Sequence, residues 1–137
     1  MSTPALKPIY LSTEDHARLR QLLSTLGGTP HPLRGELDRA IVIEAVALPA
    51  GIVTLGSRVE LKDLSDGSID VYTLVMPERA DLEQGRLSIL APIGTAILGY
   101  AQGDEFAWKT PGGQRKLLIV SVTREADDGP KLPSVLG

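Results

Sequence analysis

Two histidines, a scatter of carboxylates and no cysteine are what this 137-residue chain has for chemistry. Without cysteine there is no thiol nucleophile, no thiolate metal site and no disulfide framework. His16 and His31 are too few for a histidine-rich metal centre. A serine hydrolase needs an imidazole held beside its nucleophile. Here His16 falls in the first turn of a predicted helix, and His31 stands between Pro30 and Pro32 in a connector, so both read as exposed side chains. Asp66 and Asp104 belong to turns, which suit aspartate, and no two carboxylates form an obvious acid/base couple. Gly112-Gly113 lies between two predicted strands and is not followed by Lys-Ser or Lys-Thr opening a helix, so it reads as a turn and not as a phosphate loop. Phe106 and Trp108 are two residues apart and share one face of a strand, which reads as a core contact in preference to an aromatic binding platform. The residues point to an interaction protein more than to an enzyme.

Charge narrows the partners. The chain carries 14 basic and 17 acidic residues, a net charge of −3. Proteins that grip phosphates carry a basic surplus, so autonomous binding to DNA or RNA is disfavoured. Residues 125–137 hold one basic and three acidic groups and are expected to form an acidic, flexible tail. With 42% apolar and 23% charged residues the chain is of globular type, which excludes wholesale disorder. The first residues show no apolar run after their charge, and the apolar stretch 40–55 is broken by Glu44, Pro49 and Gly51. Neither a secretory signal nor a membrane span is expected, and the expected location is the cytoplasm.

The elements that must position these residues follow from period. Leu19, Leu22, Leu23 and Leu26 recur as one helical stripe, with Ser12 and Asp15 as a capping pair and Gly27-Gly28 as the stop. Leu33, Leu37, Ile41 and Ala45 recur every four residues and predict a second helix over residues 32–43. Two such helices read as an antiparallel hairpin, or as two helices covering a sheet. From Ile52 the pattern changes. Residues 58–62 alternate polar and apolar, Ser65-Asp66-Gly67 is a hairpin turn, and residues 69–76 form the return strand. Residues 77–85 read as a loop or short helical turn, 87–90 as a strand ended by Pro92, and 94–99 as one short buried helix. Residues 105–110 and 117–123 are strands joined by Pro111-Gly112-Gly113. The class is α+β, with a helical hairpin in residues 1–48 and a mostly antiparallel β domain in residues 49–124.

Three runs in the second half carry a resemblance. They are Arg86-Leu87-Ser88-Ile89-Leu90-Ala91-Pro92-Ile93-Gly94-Thr95-Ala96-Ile97-Leu98-Gly99, then Gly103-Asp104-Glu105, then Lys109-Thr110-Pro111-Gly112-Gly113. With Gly56-Ser57-Arg58-Val59 and Leu64-Ser65-Asp66-Gly67 upstream, they resemble the C-terminal domain of the Gre family, bacterial transcript-cleavage and elongation factors that enter the secondary channel of RNA polymerase. Glu36-Leu37-Asp38-Arg39-Ala40, Val53-Thr54-Leu55-Gly56-Ser57 and Thr73-Leu74-Val75-Met76-Pro77 are similar to a branch of that family with a shortened coiled coil, the regulators of nucleoside diphosphate kinase. The resemblance implies an FKBP-like β domain, a bent sheet around a short helix, that docks on RNA polymerase near the secondary-channel rim. It places docking on Leu90, Ala91, Pro92, Ile93 and Gly94.

In Gre factors, carboxylates at the coiled-coil tip help to hold a magnesium ion, since a hard cation takes oxygen donors. The tip region here, with Thr29, Pro30, His31, Pro32 and Arg34, has none, and Glu36 and Asp38 follow about a turn later. A helix of this size also reaches only about 20 Å. The reading is therefore a non-enzymatic transcription regulator that competes with Gre-type factors and meets nucleic acid only through the polymerase. No cofactor, metal, small-molecule substrate or membrane is expected. The alternatives are a transcript-cleavage factor using Glu36 or Asp38 and, further off, a prolyl isomerase. The latter needs an aromatic-lined pocket that Tyr10, Tyr72, Tyr100, Phe106 and Trp108 would have to supply.

Overall fold

Ser12 acts as its spacing from Asp15 predicts. In the computed structural model, which describes residues 9–124, its hydroxyl accepts the Asp15 N–H at 3.1 Å and caps helix α1 (Thr13–Thr25). Glu14 and Asp15 occupy the positive first turn. At the other end Gly27, at φ 60°, turns the chain out of the helix. The acidic segment 125–137 lies outside the described residues.

The chain divides into two compact units between Pro49 and Ala50. In the first, helix α2 (Pro32–Arg39) begins with proline at its first turn, where the missing N–H has no helical partner to lose. It ends four residues earlier than its four-residue spacing predicts. Ile41, Val42 and Ile43 are β-branched and form strand β2 (Ile41–Ile43), which pairs in parallel with β1 (Tyr10–Ser12) in the register Tyr10↔Ile41. The two helices are thus the crossover between two parallel strands. Isolated helices this short are marginal in water. Ile9, Leu11, Leu19, Leu23, Leu33 and Leu37, all fully or almost fully buried, supply the packing that holds them.

The second unit is a five-stranded sheet in the order β5-β4-β3-β7-β6. Its members are β3 (Ser57–Asp63), β4 (Ile69–Val75), β5 (Arg86–Ser88), β6 (Glu105–Thr110) and β7 (Gly113–Arg124). All neighbours are antiparallel except β4 and β5. The predicted loop at 77–85 contains two single 3₁₀ turns, Pro77–Arg79 and Leu82–Gln84. A register shift between Glu60 and Leu61 inserts an extra residue on β7, a bulge that raises local twist and curls the sheet. Val59, Leu61, Leu74, Leu117 and Ile119 are buried within it. Helix α3 (Pro92–Ile97) is the short helix, and Ile97 is fully buried. It starts two residues before the predicted 94–99, because Pro92 opens the helix, and β5 stops at Ser88 instead of running to 90, because Leu90 and Ala91 turn back onto Ser88.

Candidate functional site

The segment expected to dock is a turn and a helix start, not a free loop. The Ser88 hydroxyl accepts the Leu90 N–H at 3.0 Å, and the Ser88 carbonyl accepts the Ala91 N–H at 3.0 Å. Ala91 then caps α3, Pro92 is its first residue, and the buried Thr95 hydroxyl donates to the Ile89 carbonyl at 2.6 Å. Pro92 is exposed, Leu90, Ala91 and Ile93 are half-buried, and Gly94 is buried. A β-carbon on Gly94 would collide with the Ser88 carbonyl oxygen and come within 3.2 Å of Leu74 Cδ1. Gly94 therefore shapes the turn from inside and offers no surface.

The tip between α1 and α2 is closed by one arginine. Arg34 Nη2 donates to the Gly27 carbonyl at 2.7 Å, with the Thr29 and Leu23 carbonyls at 3.3 and 3.4 Å. The Gly27 and Thr29 carbonyls lie just past the end of α1, and the Leu23 carbonyl also accepts the Leu26 N–H at 3.0 Å. Thr29, Pro30 and Pro32 are exposed. The histidines, expected to be exposed, are both half-buried. His31 Nδ1 accepts the Leu33 N–H at 3.0 Å and caps α2, and His16 Nε2 lies 3.3 Å from the Leu37 carbonyl. Buried packing of α1 against α2 draws them in, which helical period alone does not reveal.

The two carboxylates nearest the tip do not converge. Residues two apart on a helix do not face each other, and each has its own cation. Glu36 pairs with Arg39 at 2.6 Å, and Asp38 with Arg20 at 2.7 Å. Burial pushes the Glu36 carboxyl above its ordinary value, against the pull of Arg39. Among the described residues no group of three or more His, Asp or Glu is placed to hold a metal ion.

A cleft that the sequence did not announce opens on one face of the curled sheet. About 150 Å³ in volume, it is lined by Leu61, Asp63, Asp70, Tyr72, Ile93, Trp108, Arg115 and Leu117. Helix α3 is only six residues, about 9 Å, whereas a seven-residue strand runs about 23 Å. Ile93 closes one side and the rest of the face stays open. Trp108 is thus a half-buried cleft wall, while Phe106 meets Tyr100 edge-on, with ring centroids 5.7 Å apart. At the rim, Arg115 Nε donates to Asp63 Oδ2 at 2.5 Å and Arg115 Nη2 to Asp66 Oδ2 at 3.1 Å. Hydrogen bonds from the Ser65 hydroxyl and N–H hold Asp63 below the usual aspartate range, and those from the Ser68 N–H and hydroxyl do the same for Asp66. Burial, then the nearby charge of Asp70, pushes the Tyr72 hydroxyl up. A sequence signal did exist: Leu61/Asp63, Asp70/Tyr72 and Arg115/Leu117 are pairs two apart beside turns, so each pair shares a strand face.

Comparison with known proteins follows the same division of the chain. The family model described as "Transcription elongation factor, GreA/GreB, C-term" matches residues 48–124, and the model described as "Rnk N-terminus" matches residues 7–43. A regulator of nucleoside diphosphate kinase from Escherichia coli is 43% identical over 81 residues, 59% of this chain and 60% of that protein, so the match spans less than two-thirds of the relative. A transcription elongation factor GreA from Methylococcus capsulatus is 31% identical over 79% of this chain and 69% of its own length. Among solved structures, a GreA/GreB elongation factor from Nitrosomonas europaea superposes with a TM-score of 0.74 at 41% identity, covering 84% of this chain and 98% of that one.

Proposed function

The chain belongs to the GreA/GreB family of transcription elongation factors, and from that premise we propose that it is a non-enzymatic transcription regulator. It binds RNA polymerase at the secondary-channel rim and competes there with Gre-type factors. The first unit acts as a shortened antiparallel helical hairpin. The second acts as an FKBP-like docking domain, with Leu90, Ala91, Pro92 and Ile93 as the contact and Gly94 as its support. Nucleic acid is met only through the polymerase, in the cytoplasm. Likeness to the regulators of nucleoside diphosphate kinase adds an effect on that enzyme's level, exerted through transcription and not through phosphate transfer.

The observation that carries this reading is the tip. Thr29, Pro30, His31, Pro32 and Arg34 offer no carboxylate, and Arg34 spends its charge on backbone carbonyls. Glu36 and Asp38 lie behind the tip, each bound to an arginine. Helices of 13 and 8 residues extend about 20 and 12 Å. A cation that needs two or more converging oxygen donors finds no such set here. The test is competition with a labelled Gre factor for core RNA polymerase. Displacement by this protein without release of short 3′ RNA from backtracked complexes supports the reading. Absence of binding at micromolar protein overturns docking, and RNA release overturns the non-enzymatic assignment in favour of transcript cleavage.

A further inference from the structure

We infer that the cleft between Trp108, Tyr72 and Asp70 receives the guanidinium of one arginine from a partner protein. Because Ile93 belongs both to the cleft and to the docking turn, the inference rests on the docking reading for where the partner lies.

Size selects a single side chain. A volume of about 150 Å³ equals that of an engineered protein cavity that takes one benzene molecule. Charge selects its sign. Asp63, Asp70 and Arg115 line the cleft, and among the described residues Arg115 pairs with Asp63 and Asp66. Asp63 is occupied on both oxygens, by Ser65 and by Arg115. Among the described residues no ion pair or side-chain hydrogen bond engages the Asp70 carboxylate. The neighbouring lysines do not neutralise it, for Lys62, Lys109 and Lys116 alternate with Leu61, Trp108 and Leu117 and fall on the opposite face of the sheet. An anion is repelled by this arrangement. An apolar side chain would strip water from Asp70 without giving it a partner.

Shape selects arginine. Its planar guanidinium stacks on an aromatic face, and its fork matches the two oxygens of one carboxylate. Trp108 and Tyr72 provide aromatic walls, Asp70 the carboxylate, and Leu61, Ile93 and Leu117 an apolar bed for the three-carbon stem. The raised Tyr72 hydroxyl accords with this placement, since Asp70 is close enough to act on it.

Trp108 is the only tryptophan in the chain, so its fluorescence reports the cleft alone. The full chain is titrated at constant ionic strength with a short peptide containing one arginine, and with the same peptide carrying citrulline, a neutral isostere. The expected result is a saturable change in emission with arginine, little with citrulline, and an affinity about fivefold weaker in Asp70→Asn, as an exposed charge pair warrants. Asp70 is exposed, so the variant should keep its fold. Equal responses to arginine and citrulline at tens of millimolar peptide, or no change in Asp70→Asn, would overturn the proposal. No polymerase is present in this titration, so its failure leaves the docking reading to the competition assay. Conversely, loss of polymerase competition with arginine binding intact would overturn docking and leave the cleft assignment standing.

Discussion

Gly94 lies so close to the carbonyl oxygen of Ser88 that a β-carbon has no place between them. The contact joins the end of β5 to the first turn of α3, and it fixes the direction in which Pro92 and Ile93 are presented. Replacing Gly94 by alanine forces the backbones apart. Overpacking of this kind costs roughly 1–3 kcal/mol, and urea unfolding followed by Trp108 emission should show the unfolding free energy lowered by that amount, with a lower midpoint. A wild-type midpoint would mean that the turn yields at no cost.

Thr95 provides the second tie in the same turn, through its buried hydroxyl to the Ile89 carbonyl. Thr95→Val keeps the shape and removes the donor, leaving that carbonyl buried without this partner. A loss of about 1–3 kcal/mol is expected by the same unfolding measurement.

Arg34→Ala removes the guanidinium from the carbonyls that close the tip. Faster amide hydrogen exchange is expected at residues 24–34, with β3 to β7 unchanged. Lysine should restore little, because one ammonium on a flexible stem does not reproduce the planar guanidinium fork. Uniform exchange across the chain would show that the arginine does not hold the tip.

Acid should weaken the second unit through the β3–β4 turn. Asp63 and Asp66 have folded values below the ordinary 3.8, chiefly through their bonds to Ser65 and Ser68. The ionised forms are therefore favoured in the fold. Their contribution is complete above the unfolded value and disappears as pH falls through the folded values, from about pH 5 downward. The double variant Asp63→Asn, Asp66→Asn should flatten that limb of a stability–pH curve, and an unchanged slope would assign acid sensitivity to other carboxylates.

On the polymerase, Pro92→Asp or Ile93→Asp should weaken displacement of a labelled Gre factor, whereas Glu36→Gln and Asp38→Asn should leave it unchanged. Pro92 is exposed and loses no internal bond, so its variant separates docking from folding. Stronger inhibition by Glu36→Gln than by Pro92→Asp would move the contact from the turn to the helices.

Local chemistry was legible in the sequence where partners lie within one turn. Ser12 and Asp15 announce α1, Gly27 its end, and Ser65-Asp66-Gly67 the β3–β4 turn, because each signal is complete within a few residues. The second helix ran too far because Ile41 keeps the spacing of Leu33 and Leu37, while its β-branched run answers to a strand about thirty residues back. Strand β1 is three residues long and has no period of its own to read. The cleft stayed hidden for the same reason on a larger scale. Trp108, Tyr72, Asp70 and Ile93 come from two strands and a helix, and only the sheet order brings them together.

Strand β7 is the last described strand of the chain, yet it lies inside the sheet, between β3 and β6. On the ribosome the β3–β4 hairpin emerges first and has one long edge of β3 unpaired until residues 113–124 follow. An unpaired edge is a template for other chains. Arg115 arrives on that closing strand and clasps Asp63 and Asp66 at the hairpin turn. The sheet is thus open to misassembly along β3 until β7 is released.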